Sequence, residues 1–202
     1  EGLCPLVGAI ARQHPLHPKL RDTANRTSCT DAVTQAEKER KSDLLSAKIP
    51  TAERVTTPEL KLAEGPPITA ATFDKPTVVL FFATWCPHCQ REMPQIVEFA
   101  KTLSPRFKNK AALLGIRTAT ARDKEPYPAF ATRFQINFPV RADTPDAQAL
   151  SKLADAAGLT GGLPTLLVFD RKGRLAYNMQ VGLHSNTNQE LTWALDDLIA
   201  EP

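Results

Sequence analysis

Nowhere in the 202 residues does an apolar run approach the roughly 18 needed to cross a bilayer as a helix. Charge of one sign is also missing in bulk. Lys and Arg number 25 against 22 Asp and Glu, a net +3. Divided at Arg54, the first part holds 9 basic and 7 acidic residues and the remainder 16 and 15. Neither part is a basic tail, which argues against nucleic acid as a partner. Histidine is scarce and scattered, at His14, His17, His88 and His184. A zinc site built around cysteines would lack its further ligands, so no metal and no bound cofactor are expected. Position 1 is Glu rather than Met, and a leader or anchor removed by processing or by design of the chain is expected to precede it. Cys4 follows Glu1-Gly2-Leu3, a poor lipobox, so a lipid-anchored cysteine is not expected.

What the chain does have is one stretch around which the rest reads. Thr77 to Phe82 is a β-favouring, almost wholly apolar run, the pattern of a buried central strand. Three residues on stand Cys86-Pro87-His88-Cys89, and then Met93, Ile96, Val97, Ala100 and Leu103 recur at helical intervals. Cys86 is thus expected where a strand's carboxyl end meets a helix's amino end. Unsatisfied N–H groups and the helix dipole favour an anion there, and a thiolate is an anion.

The first fifty residues read differently, and we set them apart as a mostly helical extension, residues 1–50, before a domain of residues 51–202. Pro5 to Arg12 is expected as a short helix, broken by His14-Pro15-Leu16-His17-Pro18. A second helix is expected from about Asp31 to Lys48, capped by Ser28 or Thr30. Cys4 and Cys29 form the other cysteine pair; a structural disulfide stapling the segment is preferred to a second redox or metal site. Closing that loop would stabilise by about 3 kcal/mol in the chain-entropy model. Such a bond persists outside the reducing cytosol.

Farther on, Glu59 to Ala63 alternates as a strand does, Gly65-Pro66-Pro67 turns, and Ile68 to Phe73 reads as a second short strand. Beyond the C-x-x-C helix come a buried strand at 110–116, a helix from Tyr127 to Phe134, a short strand at 138–141 and a helix from Asp146 to Ala157. Thr165 to Asp170 and Leu175 to Val181 read as strands joined by the turn Arg171 to Arg174. A last helix starts near Asn186. This alternation argues for α/β architecture.

Taken in that order, the residues from about Glu59 to Ile199 resemble the thioredoxin superfamily, and within it the extracytoplasmic TlpA/ResA-type thiol–disulfide oxidoreductases. Trp85-Cys86-Pro87-His88-Cys89 is similar to the W-C-x-x-C motif, and Pro94 falls where thioredoxins kink the active-site helix. Leu163-Pro164-Thr165 resembles the loop whose cis-proline faces the cysteines, and Asp170 to Gly173 resembles the turn after the next strand. The resemblance implies a central mixed sheet flanked by helices. Three features depart from it. Leu80 stands where thioredoxin has a buried aspartate, Pro87-His88 matches the DsbA-like oxidants, and residues 1–50 match no family pattern. DsbA-like proteins insert a helical subdomain before the cis-proline loop. Leu163 follows Cys89 by only 74 positions, which leaves little room for one.

Exchange needs an attacking thiolate, a resolving thiol and an accessible sulfur. Cys86 is the expected nucleophile and Cys89 the resolving thiol. Other readings of the pair are a structural disulfide or half a zinc site. Haem attachment would need His at position 90, which is Gln, so no haem is expected. His88 is expected to stabilise the thiolate and so to set the redox poise. By resemblance Glu92 is expected to move a proton to or from Cys89, and Pro164 to face the thiols. Trp85, Pro87, Leu163 and Thr165 are expected against the substrate, with the Leu163 backbone pairing with an extended segment. The function expected is exchange with protein cysteines, as a reductant outside the cytoplasm and in the bacterial periplasm, together with a membrane or soluble redox partner. A DsbA-like oxidant or isomerase, suggested by His88, and a thiol copper metallochaperone are the alternatives.

Overall fold

The computed structural model describes residues 24–160, 162–179 and 187–202. The chain divides into two units, Glu1–Ser46 and Ala47–Pro202. In the first, α1 runs from Ala24 to Ser46, starting earlier than expected. Ser28 and Thr30, expected as caps, lie within it. The early start has a simple basis: no Pro or Gly interrupts the segment, whereas the expectation was set by its first apolar residues, Ala32 and Val33. From Asp31 onward most of its side chains are exposed, Val33 among them. Gln35 donates to Glu39 one turn on, at 2.8 Å. The helix expected at Pro5–Arg12 and the Cys4–Cys29 pairing lie outside the described residues.

The second unit is a five-stranded mixed sheet in the order β3-β2-β1-β4-β5. The strands are β1 (Thr77–Phe82), β2 (Ala112–Arg117), β3 (Val140–Ala142), β4 (Thr165–Phe169) and β5 (Leu175–Asn178). β1, β2 and β3 run parallel, with Leu80 opposite Gly115. β4 is antiparallel to β1, with Phe81 opposite Thr165, and β5 is antiparallel to β4. Every residue of β1 is buried, because helices and loops cover both faces of the sheet.

Period-2 alternation sends the two halves of β1 to two cores. Val79 and Phe81 pack with Ile116, Leu167 and Phe169 beneath α4 (Gln148–Ala157), through Ala149 and Leu153. Leu80 and Phe82 face the other way, onto α2 (Pro87–Phe107), where Met93 and Ile96 meet them. Phe82 also stacks on Phe130 of α3 (Tyr127–Phe134), with ring centroids 5.9 Å apart. The last helix, α5 (Thr187–Ala200), buries Leu191, Ala194, Leu195 and Leu198.

The two strands expected before β1 are not strands. Leu60 and Ile68 exchange one pair of backbone hydrogen bonds, at 2.8 and 2.9 Å, and the ladder stops there. Pro66 and Pro67 have no N–H to extend it. Beyond Ile68 the chain closes a 3₁₀ turn at Ala70–Thr72, where the Thr69 N–H donates to the Thr72 hydroxyl at 3.0 Å. That turn lies against Gly173, where an added Cβ would sit 2.5 Å from the Ala70 Cα.

Candidate active site

β1 ends at Phe82 and α2 begins at Pro87, so four residues carry the chain from sheet to helix. Cys86 is the N-cap, with extended backbone (φ −81°, ψ 116°), and Pro87 follows at N1, where its missing N–H has no bond to lose. The Cys86 sulfur does what a Ser or Asp oxygen does at such a position: it accepts the Cys89 backbone N–H, at 3.4 Å. The sequence pattern thus predicts the junction that the structure shows. Both cysteines are free thiols.

The two sulfurs have different surroundings. Cys86 keeps 6% of its surface exposed, and its thiol donates to the Leu163 carbonyl at 3.6 Å. The Leu163–Pro164 peptide bond is cis. Cys89 is 1% exposed. Burial, and then the hydrogen bond and charge of Cys86, hold the Cys89 thiol well above the ordinary cysteine range. Both cysteines are buried, but the arrangement leaves Cys86 nearer the surface and keeps the Cys89 thiol protonated beneath it.

Cys89, Glu92 and Pro164 line one small pocket with Leu80, Phe82 and Met93. Glu92 is buried, with 6% of its surface exposed, and its carboxylate accepts from Arg91 Nε at 3.0 Å and from Gln95 at 3.4 Å. Leu80 offers this pocket no acid from the strand; Glu92 supplies one from the helix, a turn after Cys89. His88 is exposed, and its hydrogen-bond partner is Arg91, whose Nη2 lies 2.8 Å from the ring Nδ1. The guanidinium can only donate, so Nδ1 accepts and the ring proton sits on Nε2. No hydrogen bond joins the ring to either sulfur.

Trp85, Pro87 and Leu163 stay at least partly exposed around Cys86. Thr165 does not. It is fully buried and its hydroxyl donates to the Gly162 carbonyl, so its side chain shapes the loop and cannot meet a substrate. Among the described residues no group of three or more His, Cys, Asp or Glu side chains is placed to hold a metal ion.

Sequence reading missed the segment after β2. The Thr84 hydroxyl donates to Asp123, whose other oxygen takes Arg117 at 2.7 Å. The Trp85 indole N–H donates to the Ala119 carbonyl at 3.1 Å, and the Arg122 guanidinium lies 3.9 Å from the centre of its ring. Three contacts thus fasten Thr84 and Trp85 to the loop beside them, and Arg117 braces Asp123. The available signal was topological: the carboxyl ends of adjacent parallel strands are where α/β sheets place their sites.

The model of the AhpC/TSA family matches residues 51–178. Thioredoxin-like protein YneN of Bacillus subtilis is 27% identical over 60% of this chain and 64% of its own length. Thiol-disulfide oxidoreductase ResA of Geobacillus thermodenitrificans is 32% identical over 47% of this chain and 48% of its own. The chain thus spans about half to two thirds of the length of these curated relatives. Among solved structures, a secreted thiol-disulfide isomerase from Corynebacterium glutamicum superposes with a TM-score of 0.60 at 19% identity. That superposition covers 77% of this chain and 93% of the other, and it speaks to the fold. The family match spans well over half of the residues and coincides with the mixed sheet and its cysteine-capped helix, so this chain belongs to the AhpC/TSA family and has its thioredoxin-like fold.

Proposed function

We propose that this protein is a thiol–disulfide oxidoreductase that exchanges the Cys86–Cys89 pair with cysteines of partner proteins. The carrying observation is the asymmetric thiol pair: Cys86 caps a helix and is the less deeply buried of the two, and Cys89, almost wholly buried, is held protonated beneath it. The Cys86 thiolate attacks one sulfur of a partner disulfide, forming a mixed disulfide and releasing the partner's other sulfur as a thiolate, which takes a proton. Cys89 then passes its proton to the Glu92 carboxylate and attacks the Cys86 sulfur. The partner's second thiol leaves, and two electrons have moved to the partner as the Cys86–Cys89 disulfide forms. A dithiol reductant, membrane-bound or soluble, restores the pair.

Several features support the individual roles. Glu92 shares a pocket with Cys89 and has no competing acid on the strand, which suits it to proton transfer. His88 presents Nε2–H at the second residue of the helix, where a donor favours the thiolate. Trp85, Pro87 and Leu163, each at least partly exposed, frame the Cys86 sulfur for an extended partner segment. The ResA relatives, named thiol-disulfide oxidoreductases, support the exchange chemistry; reduction outside the cytoplasm, in the periplasm of a bacterium with two membranes, is the direction and place that the TlpA/ResA resemblance implies.

The test is reduction of a protein disulfide with the Cys86→Ser and Cys89→Ser variants. Cys86→Ser should abolish turnover, and Cys89→Ser should trap the mixed disulfide. Equilibration with glutathione then gives the direction: a strongly reducing potential supports the reductant and a DsbA-like one the oxidant. Stoichiometric copper binding by the reduced pair without exchange would overturn the proposal in favour of a carrier.

A further inference from the structure

We propose that Arg122 selects partners that carry a carboxylate beside the reacting cysteine. This rests on the exchange function proposed above and adds the substrate's chemistry to it. Arg122 lies in the 3₁₀ turn Thr120–Arg122 after β2, and its guanidinium lies over the Trp85 ring. Trp85 immediately precedes Cys86, so a group bound on that face lies within a few residues of extended chain of the Cys86 sulfur, at ~3.8 Å per residue.

The charges nearby leave this guanidinium without a partner. Asp123 is paired with Arg117 and takes the Thr84 hydroxyl. Glu125 is paired with Arg133. Glu92 is buried and paired with Arg91, which also meets His88. Among the described residues no carboxylate lies within ion-pair distance of Arg122 or of the exposed Lys124 nearby. Stacking on an indole leaves the guanidinium's edge donors free, because cation–π contact uses the face of the ring and not the N–H groups. It also holds the planar fork still, and that fork matches a carboxylate in two-point geometry. A flexible surface Arg would have to be ordered by the partner; here the indole already orders it.

The experiment uses the reduced full chain and three disulfide peptides. Each carries its cysteine flanked by two Glu, two Gln or two Lys, and kcat/KM is measured at low and high salt. Wild type should reduce the Glu peptide about threefold to fivefold faster than the Gln peptide, as an exposed ion pair allows, and the ratio should fall toward one in high salt. Arg122→Gln should bring the ratio to about one at low salt, Arg122→Lys should recover part of it, and Arg122→Glu should invert it in favour of the Lys peptide. A merely structural role for Arg122 would slow all three peptides alike and leave the ratio unmoved. A wild-type ratio of one, or a ratio that survives Arg122→Gln, overturns the proposal while leaving the exchange function standing. Failure to reduce any peptide sinks both.

Discussion

Replacing Glu201 with Gln should cost this protein stability at neutral pH and almost none in strong acid. Glu201 stands one residue before Pro202, and it closes an ion cluster around a buried guanidinium. Arg54, its side chain wholly buried, donates to both Glu201 oxygens at 2.8 and 2.5 Å, to Asp170 at 3.0 Å and to the Ile49 carbonyl at 3.1 Å. Lys48 meets Glu201 at 2.7 Å. The Arg54 guanidinium is the first cause, with Lys48 behind it, that holds the Glu201 carboxyl down from 4.5 to about 2. A folded-state value below the unfolded one stabilises the fold in full above about pH 4.5. The contribution is lost as the pH falls through 4.5 toward 2. A difference of that size corresponds to about 3 kcal/mol at 1.36 kcal/mol per unit. A quarter of the side chain still faces solvent (24%), so about 2 kcal/mol is the better expectation. The assay is urea unfolding followed by circular dichroism between pH 3 and 7. Wild type should exceed Glu201→Gln by about 2 kcal/mol at pH 7, and the gap should narrow steadily below pH 4.5. A gap that is absent at pH 7, or constant across the range, would refute the charge argument.

Three further outcomes are expected. Glu92→Gln should slow resolution of the mixed disulfide by about a hundredfold, the low end for a positioned proton acceptor. Alkylation of Cys86 by iodoacetamide should stay near wild type, and equal slowing of both steps would contradict the assigned role. His88→Ala should shift the Cys86–Cys89 potential about 30 mV toward reducing, or about 1.4 kcal/mol for two electrons. Arg91→Ala should move it the same way by less, and no movement in either makes His88 a bystander. Gly173→Ala should destabilise by more than about 2 kcal/mol, because the new Cβ meets Ala70 backbone atoms at 2.5 and 2.7 Å and φ is +67°. Thermal unfolding measures that loss, and a melting temperature within 2–3 °C of wild type would refute it.

The parts legible in the sequence were those whose causes are local. An apolar strand, a C-x-x-C and an amphipathic helix lie within thirty residues, and each is set by its own periodicity. The helix over Tyr127–Phe134 was readable for the same reason. Elements that depend on distant partners were not. Leu60 to Ala63 alternates as a strand does, but the segment opposite is broken by two prolines and drawn into a turn by the close approach of Gly173. Arg54 sits between Glu53 and Val55 and reads as one more solvated charge; only the fold brings it to Glu201, 147 positions away. Asp123 and Arg122 were hidden likewise, since nothing in Ala121-Arg122-Asp123-Lys124 points to a strand end some forty residues earlier.

The pocket under the thiols shows how a departure from the family pattern can be made good locally. Thioredoxin's acid would project from the central strand, where this chain has Leu80, buried and unable to take a proton. The acid instead comes from α2, one turn beyond Cys89, and lines the pocket that Cys89 lines. Cys86 at the cap and Cys89 and Glu92 within α2 are thereby tied to a single rigid element. Burial one turn into the helix disfavours negative charge at Cys89. The same eight residues, Trp85 to Glu92, thus carry both sulfurs and, in the exchange proposed above, the group that would release the deeper one. In the proposed exchange the Cys86 sulfur attacks first. Under that proposal Cys89 attacks once a mixed disulfide has formed above it and Glu92 has taken its proton, which would order the two halves of the exchange in time.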